Sequence, residues 1–183
     1  MLQFLAMASG RGIILRLTKL SDTSLIVTWC VEGAGLVKTV AKGARRPKGA
    51  FSGKLDLFYV AEIDWVESRK SDLHTLREVV PSEYHEQLRK KYRDVLLASY
   101  FSGLIEHVLE PGLCDDEVFD LLRRGLDYLN TKGGTMRAFE HFENELAKLT
   151  GVWDGKRLSY LALEDAFGGL PRMRAQCKEL LAP

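Results

Sequence analysis

The chain has 183 residues, 46% of them hydrophobic and 28% charged, with a formal net charge of +1. That supports a real core in one large domain or two small ones. The three cysteines, Cys30, Cys114 and Cys177, are far apart and form no Cys-x-x-Cys pair, which argues against a disulfide framework and a cysteine-rich zinc site and fits a reducing compartment.

No apolar run approaches the ~20 residues of a membrane span. Met1 to Ala8 is apolar but short and lacks a cationic start, so it reads as an extension or extra β-segment rather than a signal peptide. A cytoplasmic protein is expected. The charge is unevenly spread: cations exceed anions in the first 80 residues, and the balance reverses in the remainder.

The first 80 residues carry strand signals. Ile13 to Thr18 alternates with a period of two, and Leu20 to Thr23 reads as a turn. Leu25 to Val31 is dense in β-branched and aromatic residues. Glu32 to Gly35 supplies glycines for a hairpin connection, and Leu36 to Lys42 is a third strand. Leu55 to Val66 is the longest alternating run, with Leu55, Leu57, Tyr59, Ala61, Ile63 and Trp65 on one face. Leu73 to Val80 is a fifth strand. Five short strands with uneven loops predict a small closed barrel of the OB type, because an open meander would leave its edges unpaired.

At Pro81-Ser82 the period changes from two to 3.6, and Ser82 is placed to cap a helix. Helical patterning runs from Glu83 to Tyr92 and again from Val95 to Leu109, where Pro111-Gly112 stops it. Asp115 is placed to cap the next helix, whose apolar stripe is Val118, Leu121, Leu122, Gly125, Leu126 and Leu129. Asn130 to Gly134 reads as a loop. Phe139, Phe142, Leu146 and Leu149 mark another helix, ended by Gly151. Ser159 to Phe167 is read as helical, Gly168-Gly169 breaks it, and Pro171 opens a final short helix to Leu181. The fold class is therefore α+β: an N-terminal five-stranded OB-fold barrel over residues 1–80, then an all-α domain over residues 81–183.

The stretch Lys38 to Lys54 holds six cations and no anion. A loop punctuated by glycine and proline is hard to bury, so its charges face water together. Clustered positive charge with backbone N–H groups freed by glycine suits phosphate oxygens. Lys42, Arg45, Arg46, Lys48 and Lys54 are the candidate phosphate contacts. Arg45 and Arg46 are favoured because guanidinium binds bidentately. Lys38 and Arg16 lie on strands, where they either line a groove or occupy the wet face. Of the aromatic residues that could stack on bases, Phe51 stands alone inside the cationic loop. Phe58, Tyr59 and Trp29 are the others, Tyr59 sharing the core-forming face of Trp65.

Other chemistries find no support. The four histidines show no zinc spacing with each other or with cysteine. Gly33-x-Gly35 lacks the third glycine of a dinucleotide fingerprint, and Gly43 to Lys48 lacks the end of a P-loop. No nucleophile motif is present. The residues imply neither an enzyme nor a cofactor or metal.

The run Val40-Ala41-Lys42-Gly43-Ala44-Arg45-Arg46-Pro47-Lys48 resembles the V-A-K-G-[AV]-R-[RK]-x-[KR] segment of the bacterial recombination mediator family RecO. Gly12 to Arg16 is similar to that family's opening strand, Gly35-Leu36-Val37 to the turn into its third, and Asp72 to Glu78 to the strand that closes its barrel. Glu117 to Leu122 and Leu146 to Gly151 are similar to helix boundaries of its second domain, so the resemblance covers about residues 11–151. It implies an OB-fold followed by a helical domain, binding of single- and double-stranded DNA, and annealing of complementary strands. It also implies binding of the C-terminal tail of the single-stranded-DNA-binding protein, cooperation with RecR, and indirectly the loading of RecA. Many members carry a four-cysteine zinc module after the second of those boundaries; here Val152 onward has only Cys177.

A short acidic tail ending in apolar residues requires a hydrophobic pocket with cations at its rim. Leu121, Arg123, Arg124 and Arg137 are the candidates for it, against the plain alternative of ordinary exposed charges. The expected function is a DNA-binding recombination mediator in DNA repair, associated with the bacterial nucleoid. The alternative is a general OB-fold protein that binds RNA or serves translation through the same loop.

Overall fold

A computed structural model describes residues 6–111 and 116–182. The chain forms two compact units, one running to Tyr84 and including Leu109–Asp116, the other comprising His85–Val108 and the chain from Glu117 onward.

The first unit is a closed five-stranded barrel in the order β1-β2-β3-β5-β4. Its strands are β1 (Met7–Lys19), β2 (Leu25–Val31), β3 (Gly35–Ala41), β4 (Val60–Val66) and β5 (Leu73–Glu83). All neighbours are antiparallel except β3 and β5, which pair in parallel over Lys38–Leu73, Thr39–His74 and Val40–Thr75. The expected OB-type barrel is present.

Strand β1 closes it by serving two neighbours. Met7 to Ile13 pairs with β4, and Gly12 to Lys19 pairs with β2. A Cβ on Gly12 would stand 3.1 Å from Trp29 Cε3 and 3.3 Å from Ile63 Cδ1, so glycine lets the strand curve tightly over the core. A register shift between Ile14 and Arg16 changes the parity of the alternation. Ile14 and Leu17 both reach the core as a result, while Arg16 faces out.

The core gathers Ile14, Val27, Trp29, Val31, Val37, Ala41, Ala61, Ile63, Trp65, Leu76 and Val79. Trp29, fully buried, donates its indole N–H to Thr39 Oγ1 at 2.9 Å.

Three strand boundaries differ from the sequence expectation. Strand β1 begins at Met7, because its first half has β4 as a partner. Strand β4 begins at Val60 rather than Leu55. Asp56 accepts the N–H of Leu57 at 2.8 Å and Phe58 has a φ of 69°, so the chain turns there. The parity survives, because Leu55, Leu57 and Tyr59 still pack against the core.

Strand β5 runs on through Pro81 to Glu83, where a helix was expected to begin. Pro81 sits beside a register irregularity between Val60 and Ala61, where a missing N–H is tolerated. Ser82 does not cap a helix; its hydroxyl donates to the Val60 carbonyl at 3.2 Å.

In the second unit a single 3-10 turn, Leu88–Lys90, precedes α1 (Tyr92–Val108). Next come α2 (Asp116–Lys132), α3 (Met136–Leu149), α4 (Ser159–Phe167) and α5 (Arg174–Leu181). The expected capping residue Asp115 lies outside the described residues. Helix α2 extends through Asn130, whose side-chain Oδ1 accepts the N–H groups of Gln87 and Leu88.

Only a short link then remains before α3, fixed by buried Asp94, which accepts the Gly134 N–H at 2.7 Å. A Cβ on Gly134 would lie 3.1 Å from Leu97 and 3.2 Å from that carboxylate. Thr135 caps α3 by accepting the Ala138 N–H at 3.1 Å. At the far end of the chain Gly168, with φ of 78°, ends α4 as read from the sequence.

Candidate functional site

The connection from Ala41 to Val60 is built as a chain of tight turns. Backbone bonds run from Arg46 N–H to Gly43 O, Gly49 N–H to Arg46 O and Ser52 N–H to Gly49 O, each at 3.0 Å. A Cβ on Gly49 would fall 2.5 Å from the Gly43 carbonyl oxygen, so only glycine permits that fold-back. The loop is tied to the β1–β2 turn by Arg45 N–H to Thr23 O at 3.0 Å and by the Arg45 guanidinium, which donates to Ser21 O at 3.3 Å.

This scaffold presents Lys42, Arg45, Arg46 and Lys48 to solvent, with Lys54 half-buried. Among the described residues none of these five side chains meets a carboxylate in an ion pair. Their fields add, and no described residue of the barrel unit neutralises them at contact distance.

The aromatic expectation needs correcting. Phe51 is only 6% exposed and belongs to the barrel core. Its ring anchors the loop, because removing that much apolar surface from water outweighs presenting it to a ligand. Trp29 and Phe58 are also buried and offer no face to a base. Tyr59, read as core, is half-buried and meets Tyr84 edge to face, with ring centroids 4.9 Å apart.

The two strand cations separate. Arg16 faces outward from β1. Lys38 lies on β3 and lines a different cleft of about 350 Å³ beside the β2–β3 hairpin, with Glu67, Asp72 and His74. It shares its surroundings with acids rather than with the loop's cations.

The helical unit holds a second candidate site, a cavity of about 460 Å³. Its floor is the Phe101–Phe142 pair, stacked with centroids 3.8 Å apart and planes within 5°. Leu121, Gly125 and Ala138 complete the apolar lining, and Arg124, Tyr128, Arg137 and His141 stand around it. Gly125 lets α2 come close: a Cβ there would sit 3.2 Å from Phe142 and 3.3 Å from Phe101.

Three of the four predicted partner-binding residues, Leu121, Arg124 and Arg137, therefore converge on one pocket. Arg123 does not line it; its guanidinium is spent on Asp120 and Asp127, each at 3.3 Å. Arg124 is partly held by Asp120 at 2.7 Å. Tyr128 and His141 were not singled out in sequence, although each lies one helical turn beyond a predicted arginine.

A third cluster is structural. Glu143, almost fully buried, receives the Tyr100 hydroxyl at 2.6 Å and two Arg174 N–H groups at 2.8 and 2.9 Å. Arg174 also lies 3.7 Å from the Tyr160 ring centroid. Burial, reinforced by the neighbouring Glu143 carboxylate, pushes the Tyr100 hydroxyl far above its ordinary pKa. This network clamps α5 onto α1 and α3 and sets no group up for chemistry at neutral pH. Cys177 is buried, its S–H directed at the Leu96 carbonyl at 3.8 Å, and burial raises the thiol to about 11.

A closed five-stranded barrel in the order β1-β2-β3-β5-β4 defines an OB-type domain. The model of the family "Recombination protein O N terminal" matches residues 6–85. The chain is 31% identical over 150 residues to the DNA repair protein RecO of Rhodopirellula baltica, covering 76% of this chain and 52% of that protein. It is 29% identical to the protein of the same name from Syntrophus aciditrophicus, over 76% of this chain and 54% of that one. Against the one from Alkaliphilus metalliredigens it is 27% identical, over 84% and 57% respectively. Residues 6–85 therefore match the N-terminal domain of the RecO family, and the chain is similar to RecO proteins over most of its length while spanning about half the length of these relatives. Among the described residues no helix is long and apolar enough to cross a membrane.

Proposed function

We propose that this protein is a DNA-binding recombination mediator acting in DNA repair, which anneals complementary single strands and has no catalytic site of its own. The observation that carries the reading is the loop 42–54, whose five cations form no ion pair with a carboxylate among the described residues, four of them exposed and Lys54 half-buried. Lys42, Arg45, Arg46, Lys48 and Lys54 neutralise phosphates on two strands, with Arg16 extending the contact along β1. Screening the repulsion between the strands lets base pairing proceed, so no bond chemistry is asked of the protein.

In the same reading the barrel unit, which runs to Tyr84 rather than ending at residue 80, is the nucleic-acid-binding part, and the helical unit is the partner-binding part. The pocket of Leu121, Arg124 and Arg137 takes the C-terminal tail of the single-stranded-DNA-binding protein. Its apolar floor suits the tail's last side chains and its arginines suit the carboxylates. That contact brings the protein to coated strands in the cytoplasm, at the nucleoid, where RecR and, through it, RecA are the partners the family implies.

The test is annealing. The purified protein, mixed with two complementary oligonucleotides, one coated with single-stranded-DNA-binding protein, accelerates duplex formation at low salt. An unchanged rate, with tight binding to structured RNA instead, would favour the RNA or translation reading.

A further inference from the structure

We infer that Tyr84, propped edge-on against Tyr59, is the stacking platform for an unpaired base and gives the barrel a preference for single strands over duplex. The inference rests on the DNA-binding reading above and deepens it. A cationic loop attracts any phosphate backbone and does not by itself distinguish a single strand from a duplex. Distinguishing them takes an exposed π-face on which an unstacked base can lie. With Phe51, Trp29 and Phe58 all buried, the loop itself offers no such face.

Tyr84 does. It is 44% exposed, it follows the last residue of β5, and it meets Tyr59 at an interplanar angle of 81°. Tyr59 is the final residue of the connection that carries the cations, immediately before β4. Its backbone is fixed by the bond from Ile14 N–H to Tyr59 O at 3.0 Å and its side chain packs on the barrel core. The pair is thus half anchored and half open, which holds Tyr84 in place without covering it. Edge-to-face contact is a favoured geometry for such rings.

The local charges agree. Glu83, the carboxylate next to Tyr84 in sequence, is paired with Arg11, so it does not repel an approaching phosphate as a free anion would. One strand then meets phosphate contacts along loop 42–54 and a ring beside Tyr59, where the same connection rejoins the barrel.

The experiment compares the full chain with Tyr84→Ala and Tyr84→Phe. Each binds a labelled oligo-dT and a hairpin duplex of matched length, in fluorescence anisotropy titrations over a salt series. Tyr84→Ala is expected to lower the ratio of single-strand to duplex affinity about tenfold, with the salt slope for the single strand unaltered. Tyr84→Phe is expected to keep the unaltered ratio.

A second readout uses the unaltered protein: 2-aminopurine placed in the single strand is quenched on binding by stacking, and Tyr84→Leu relieves the quenching. If Tyr84→Ala leaves the ratio unchanged, or no 2-aminopurine position in the strand is quenched, this inference is overturned while the DNA reading stands. If the unaltered protein binds neither DNA, both fall together.

Discussion

Replacing Arg45 and Arg46 together by alanine removes two of the five cations of the loop and should be read as a change in slope. Binding to single-stranded DNA releases condensed counterions, so log affinity falls with log salt by about 0.7 for each phosphate neutralised. Five contacts give a slope of about −3.5, and the double substitution brings it to about −2.1. The backbone bonds that fold the loop, including Arg45 N–H to Thr23 O, do not involve the side chains. Only the Arg45 guanidinium makes an internal bond, to Ser21 O at an exposed site. The variant should therefore keep its fold, with a stability change within about 1 kcal/mol. Anisotropy of a labelled oligonucleotide from low to moderate salt measures the slope, and a thermal melt checks the fold. An intact variant whose affinity and slope match the unaltered protein would refute the assignment of the loop to phosphate binding.

Phe51→Ala should behave oppositely: it deletes a core anchor, so urea unfolding should show a loss on the order of 3–5 kcal/mol, whereas a loss below about 1 kcal/mol would mean the ring is not holding the loop. For the helical pocket, Arg124→Ala and Arg137→Ala should each weaken a peptide copying the tail of the single-stranded-DNA-binding protein by about tenfold, the worth of a charge-assisted hydrogen bond. Arg123→Ala, outside the pocket, should leave peptide affinity near its starting value, and equal losses at all three would deny the pocket its role.

Glu143→Ala strands Arg174 and Tyr100 in a buried site and should cost about 3–5 kcal/mol, read in a denaturant titration. Cys177 has its thiol raised from 9.0 to about 11 in the folded protein. The neutral thiol is the form the fold favours, so its contribution is complete below pH 9.0 and declines as pH rises toward about 11. Thermal melts through that window should show an alkaline loss of stability that Cys177→Ala reduces, and identical pH profiles for the two proteins would contradict the burial argument.

Local pattern in the chain was enough to determine the class of fold, the number of strands, and the helices over Ser159–Phe167 and up to Leu181. Period-two and period-3.6 alternation report which face of an element is apolar, and that is a local property. The cationic loop was equally legible, because a run of Lys and Arg between glycines and prolines has no means of being buried. What failed were boundaries set by a distant partner. Strand β1 reaches back to Met7 because β4 pairs with it, and β5 continues past Pro81 because the register shifts there, Ser82 of β5 being the extra residue opposite Val60 and Ala61, so the missing Pro81 N–H is tolerated.

The fate of individual side chains was likewise a tertiary decision. Phe51 stands among cations in sequence but folds into the barrel, where burying a phenyl ring is worth more than exposing it. Arg123 and Arg124 are neighbours in sequence, yet successive helical residues point about 100° apart. One is consumed by Asp120 and Asp127, and the other lines the pocket. The meeting of Tyr59 and Tyr84 follows from the pairing of Val60 with Glu83 across β4 and β5. Composition and periodicity carry no trace of it, since the register of two strands is chosen by the packing of the whole barrel.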